Sequence, residues 1–162
     1  MNSAVVVSLR VAAAPAPVFE AFTAEIGVWW KPNSLFQLTP RGDGVLRFEP
    51  GPEGRLVTTL PNGKEFEVGR ILVWRPGERL SFTWRQASFA PEQVTEVDVT
   101  FEPVGPEETR VTVTHRGWDA VPQAHAARHG FPLNIFLQRQ GEHWRSLLAS
   151  LNAAMFPPPP GA

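Results

Sequence analysis

From residue 5 to residue 11 the chain alternates. Val5, Val7, Leu9 and Val11 fall on one face, Ser8 and Arg10 on the other, which is the period of a half-buried strand. Ala14-Pro15-Ala16-Pro17 ends that pattern, and proline is tolerated in a first helical turn because its missing N–H loses no bond there. Val18, Phe19, Phe22, Ile26, Trp29 and Trp30 then recur at three-to-four spacing, predicting one or two short amphipathic helices that end near Trp30, before Lys31-Pro32.

Beyond residue 44 the period returns to two. Strands are expected near Val45–Glu49, Arg55–Thr59, Phe66–Trp74, Leu80–Arg85, Val94–Phe101 and Arg110–Arg116. They are separated by turn sequences such as Pro61-Asn62-Gly63 and Arg75-Pro76-Gly77-Glu78. Short connections favour antiparallel neighbours, so with the first strand this makes a curved antiparallel sheet of about seven strands. The period changes once more from about Pro132 to Met155. There Leu133, Phe136, Leu137, Trp144, Leu147, Leu148, Leu151 and Met155 form one apolar stripe, with the polar Gln140 inside it. Such a helix is about 35 Å long and must lie across the sheet. The order strand, short helices, strands, long helix predicts an α+β fold, a curved sheet wrapped around one long helix, with residues 1–156 as a single domain. Residues 157–162, mostly proline, read as a disordered tail.

Composition narrows the functions open to this fold. The chain has 162 residues and a formal net charge of -1, which provides no basic field for nucleic acid or for an anionic membrane. With no cysteine there is no disulfide, thiolate metal site or cysteine nucleophile. No signal-like start and no long uninterrupted apolar run occur, so a cytoplasmic protein without stable membrane insertion is expected. Its 6 Trp and 11 Phe are accompanied by no Tyr, and rings without a phenolic hydroxyl fill volume or line cavities.

Four stretches together resemble a known superfamily. They are Pro15 to Phe22 followed by Trp29-Trp30; Gly69 to Trp84; Thr109 to Trp118; and Trp144 with Leu147, Leu148 and Leu151. In this order they are similar to the SRPBCC, or START-like, superfamily, and within it to the activator of heat-shock protein 90 ATPase homologue family. The resemblance spans roughly residues 4 to 155 and implies the same helix-grip fold. Relatives of that fold include lipid carriers, polyketide cyclases and aromatases, hormone receptors and chaperone activators, so the resemblance does not single out an activity.

No nucleophile elbow, phosphate-binding loop, dinucleotide fingerprint or zinc-protease motif occurs, and no catalytic residue, metal or cofactor is assigned. His125 and His129 stand one helical turn apart, but the residues between them supply no carboxylate and Gly130 follows, which favours a solvent-exposed pair. His143 is expected on the polar side of the last helix. His115 differs, because it shares strand phase with Val111 and Val113 and should face inward beside Val97, Val99 and Phe101. It reads either as a histidine satisfied by a carbonyl or water, or as a group that orients a ligand or moves a proton. Arg70 shares the phase of Phe66, Val68, Leu72 and Trp74, unless a bulge before Gly69 turns it to solvent. Glu65, Glu67, Glu96 and Asp98 alternate with apolar residues in the manner of a solvated face.

The rings exceed what one small core needs. Trp30, Phe48, Trp74, Phe82, Trp84, Phe101, Trp118 and Phe136 are therefore expected to line a pocket, with His115 and Gln140 as its polar groups and Trp144 in the core. The expected function is binding of a small hydrophobic or aromatic molecule in an internal cavity. A polyketide cyclase-like enzyme using that cavity and a chaperone-interacting module are the alternatives. An exposed sheet edge would also suit a homodimer.

Overall fold

The computed structural model describes residues 4–30, 44–85, 93–118, 121 and 131–156. Strand β1 (Val5–Val11) is followed by helices α1 (Pro15–Ala24) and α2 (Ile26–Trp29). Six strands come next: β2 (Val45–Phe48), β3 (Arg55–Thr59), β4 (Glu65–Arg75), β5 (Arg79–Trp84), β6 (Thr95–Gly105) and β7 (Glu108–Arg116). Helix α3 (Leu133–Met155) follows them in the chain. The seven strands form one curled sheet in the order β1-β7-β6-β5-β4-β3-β2, every neighbouring pair antiparallel. The α+β helix grip expected from the periodicities is thus the observed architecture. The prolines of residues 157–162 lie outside the described residues. Among the described residues no helix is long and apolar enough to cross a membrane.

Alternation decides which side of the sheet is covered. On β1, Val5, Val7 and Val11 are buried while Val6, Ser8 and Arg10 face out. On β6 and β7 the inward sets Thr95, Val97, Val99, Phe101 and Thr109, Val111, Val113, His115 lie in register, with Val97 opposite His115 and Val99 opposite Val113. Helix α3 buries Phe136, Gln140, Gly141, His143, Trp144, Leu147, Leu148 and Leu151, a stripe that recurs every three to four residues. Its N-cap is Pro132, with no side-chain cap, an omission that costs about 1 kcal/mol. Burial of a single large apolar side chain contributes roughly 1.5–3 kcal/mol, so packing rather than capping holds α3 in place.

Strand β4 departs from simple alternation twice. Leu56 pairs with Gly69 and Val57 with Glu67, so Val68 is one residue too many; Ile71 pairs with Phe82 and Val73 with Ser81, so Leu72 is another. Val68 and Ile71 are buried, and Trp74 packs its ring on Phe19, so the inward face of β4 recurs every third residue. The bulge before Gly69 turns Arg70 to solvent, where it pairs with Glu67 at 3.3 Å. Leu72, which plain alternation would put inward, is 49% exposed. The close approach that fixes this bend is at Gly69, where a Cβ would stand 1.7 Å from the carbonyl oxygen of Thr83.

Candidate functional site

His115 sits near the end of β7 with Val5 of β1 and Val97 of β6 as its cross-strand partners, and none of it reaches solvent. Its ring lies among those of Trp84, Trp118 and Trp144, with centroids 5.2, 5.3 and 6.1 Å away. Both ring nitrogens are engaged. The indole Nε1 of Trp144 lies 3.1 Å from Nδ1, and an indole N–H can only donate, so Nδ1 accepts. The ring proton is then on Nε2, which donates to the Thr95 hydroxyl at 2.8 Å. Thr95 in turn gives its own proton to the Trp84 carbonyl at 2.8 Å. Each proton in this relay has one place to go.

A second proton on His115 would meet the Trp144 N–H head on. Burial, first, and the neighbouring His143, second, hold the imidazole pKa down at about 3. His115 is a neutral, oriented ring with no free lone pair.

Helix α3 brings Gln140 and His143 to the same place. Gln140 is only 2% exposed, and its amide nitrogen lies 3.4 Å from His115 Nδ1. Its carbonyl oxygen is buried and has no hydrogen-bond partner among the described residues. His143 is a correction to the expectation from sequence: it is 5% exposed rather than solvated, and its ring stands edge-on to Trp30 at 6.1 Å. Burial lowers its pKa to about 4. The helical period explains this, because Gln140, His143, Trp144 and Leu147 are spaced three, one and three apart and so occupy one stripe.

The rings expected to line a pocket form one connected run with two exceptions. From Phe136 it passes to Trp118 at 4.7 Å, to Trp84 at 5.6 Å and, through His115, to Trp144. It goes on to Trp30 at 5.5 Å and Trp29 at 5.8 Å. Through Phe22 it reaches Phe101 at 5.9 Å, then Phe19 on α1 and Trp74 on β4. Phe48 and Phe82 pack against each other at 5.2 Å, apart from that run among the described residues. The structure thus gathers Trp84, Trp118, Trp144 and Gln140 around His115, with Phe136 against Trp118 and Trp30 against Trp144. It places Phe101 and Trp74 at the opposite end of the run.

Two members of this cluster escaped the sequence reading as site residues. Trp144 was assigned to the core, yet its N–H fixes the histidine tautomer. Thr95 was not singled out, although it shares the inward phase of Val97, Val99 and Phe101 and so was marked by a polar side chain on an apolar face.

The ion pairs among the described residues lie elsewhere. Asp98 is bonded to Arg79 at 2.8 Å and approaches Arg116 at 3.8 Å, and Glu49 is held by two bonds from Arg55 at 2.8 and 2.7 Å. Among the described residues no group of three or more His, Asp or Glu side chains could hold a metal ion. His125 and His129 lie outside the described residues. Among the described residues the centre is therefore an apolar, neutral assembly of rings in which the Gln140 carboxamide oxygen is a buried acceptor without a donor.

Comparison with known proteins bears on what such a centre does. Residues 12–155 match the family described as Activator of Hsp90 ATPase homolog 1-like protein. None of the curated proteins compared matches the chain. Among solved structures, a protein from Mesorhizobium loti is 18% identical, covers 94% of this chain over 96% of its own length and superposes with a TM-score of 0.65. An HSP90 activator from Plasmodium falciparum is 17% identical, with coverages of 94% and 95% and a TM-score of 0.63. The anthrahydroquino-γ-pyrone synthase Txn09 is 30% identical, with coverages of 91% and 96% and a TM-score of 0.54. The first two show the fold; the third is a relative in sequence as well.

Proposed function

The chain belongs to the Activator of Hsp90 ATPase homolog 1-like family, and from that premise we propose that it binds a small, flat, apolar molecule against Trp30, Trp84, Trp118, Phe136 and Trp144. Gln140 is the polar group that orients it. The observation that carries this reading is the carboxamide oxygen of Gln140, buried within a ring-rich core with no partner among the described residues. An unmet buried polar atom costs about 1–3 kcal/mol, and a ligand that satisfies it recovers that cost. Pockets for small molecules combine an apolar lining with a few placed polar groups, the composition found here. The likeness to an anthrahydroquino-γ-pyrone synthase supports fused aromatic rings as the ligand class.

The reading is tested by adding a fused-ring aromatic such as anthraquinone while following tryptophan fluorescence and thermal unfolding. Saturable quenching with a rise in Tm is expected, since a ligand at a hundred times its Kd stabilises the fold by about 2.7 kcal/mol. No saturable quenching by any fused-ring aromatic, with no apolar molecule in organic extracts of the purified protein, overturns it.

The same likeness favours a second reading, in which the bound molecule is a reactive chain whose ring closure is promoted by confinement. His115 is not its base, because the lone pair on Nδ1 is committed to Trp144. Mass spectrometry of a linear polyketide before and after incubation tests this reading, and an unchanged mass and retention time overturns it. A chaperone partner is suggested by the family's description and by the likeness in fold to an HSP90 activator.

A further inference from the structure

The Gln140 carboxamide presents a buried oxygen to this centre, and the way the amide faces is set by its neighbours. The Trp144 indole can only donate, so His115 Nδ1 must accept. The end of the Gln140 amide that faces Nδ1 at 3.4 Å is therefore its NH2 group, because a carbonyl oxygen there would set one lone pair against another. The amide cannot turn over without losing that contact. Its oxygen is left on the other side, buried and without a donor among the described residues. The remaining polar atoms of the relay are used: His115 Nε2–H on Thr95, and the Thr95 hydroxyl on the Trp84 carbonyl.

We infer that the site selects ligands that donate a hydrogen bond, an aromatic O–H or N–H placed against the Gln140 carboxamide oxygen, over ligands of the same shape that can only accept. This rests on the binding reading above and deepens it by naming the ligand's polar group. Gln140 is then a specificity-determining residue, and hydroxylated aromatic rings are the ligand class. Against that oxygen, their ethers, and rings whose only polar groups are carbonyl oxygens, bring an acceptor to an acceptor.

The experiment measures β-naphthol, its methyl ether and naphthalene against the wild-type protein and Gln140→Met, by fluorescence titration. The methionine keeps the length of the side chain and removes the acceptor. Naphthol is the most water-compatible of the three, so hydrophobicity alone ranks it weakest. The inference expects naphthol to bind wild type at least about fivefold more tightly than either comparator. It also expects that preference to disappear in Gln140→Met while naphthalene binds both proteins equally. Equal or weaker binding of naphthol by wild type overturns the donor rule and leaves the binding reading intact, since the comparators still bind. A preference that survives in Gln140→Met overturns the role of Gln140. Failure of all three ligands to bind wild type overturns the binding reading itself and the donor rule with it. The wild-type ranking needs no substitution, so the donor rule stays testable should the variant not fold.

Discussion

Trp144 Nε1 on α3 and His115 Nδ1 on β7 are 3.1 Å apart, and this bond joins the long helix to the sheet at a point that no solvent reaches. It brings together the two halves of the helix grip and writes the direction of every other polar contact nearby. Because the donor is an indole, His115 carries its proton on Nε2 and Thr95 passes its own to the Trp84 carbonyl. A polar relay in a low-dielectric interior is costly unless every member is satisfied, and here each of the three bonds has a single permissible direction.

Breaking either end of the relay should destabilise the fold. Thr95→Val keeps the shape of the side chain but leaves the His115 N–H and the Trp84 carbonyl without their partner, an expected loss of about 1–3 kcal/mol in urea unfolding. Thr95→Ser retains the hydroxyl and should lose distinctly less. Trp144→Phe removes the donor to Nδ1 and some ring area, so a loss of about 2–4 kcal/mol is expected. Equal stabilities of Thr95→Val and Thr95→Ser would show that the hydroxyl contributes nothing to the relay.

The two buried histidines predict how stability depends on pH. Both have folded pKa values below the ordinary 6.5, about 3 for His115 and about 4 for His143, so the unfolded chain binds more protons between those values and 6.5. Stability is therefore full above pH 6.5 and falls as the pH drops, by roughly 1.4 kcal/mol per pH unit for each histidine once well below 6.5. His143 stops contributing near pH 4 and His115 near pH 3. Glu49, held by Arg55 at about 2, adds a loss in a lower window, as pH falls from 4.5 toward that value. Urea midpoints measured from pH 7 to 4.5 should fall steadily, and His143→Gln should roughly halve the slope. A flat profile above pH 5 would contradict the burial of both rings.

Much of this centre can be read from sequence, and the exceptions have specific causes. The inward phase of β7 is visible in Val111, Val113 and His115 because an uninterrupted strand keeps its period of two. Gln140 stands out because it interrupts an apolar helical stripe. His143 lies on the same stripe, but a histidine beside a glutamate reads as solvated unless the three-to-four spacing is followed through it. The facing of β4 is of a different kind: Gly69 signals the first of its two bulges, whereas the second, at Leu72, arises in the pairing with β5 and has no glycine to mark it. The tautomer of His115 could not be read at all, since Trp144 lies 29 positions away and meets it only when α3 crosses the sheet.

The bend in β4 gives the most direct test of how the sheet is shaped. At Gly69 an added Cβ would stand 1.7 Å from the Thr83 carbonyl oxygen, and that oxygen is backbone, so nothing short of moving β5 makes room. Gly63 is a contrasting case: it has φ +87 in the turn before β4, but a Cβ there would meet nothing within 4 Å. Gly63→Ala incurs only the cost of a left-handed conformation, about 1–2 kcal/mol, and should fold with a modestly lower Tm. Gly69→Ala must push two paired strands apart, and a loss above about 3 kcal/mol or failure to fold is expected. Because Ile71 and Trp74 follow that bend into the core, the same substitution should also disturb the contact of Trp74 with Phe19, visible as a change in tryptophan fluorescence. Similar stabilities for the two variants would mean that β4 can straighten without cost and that its bulges do not set the curl of the sheet.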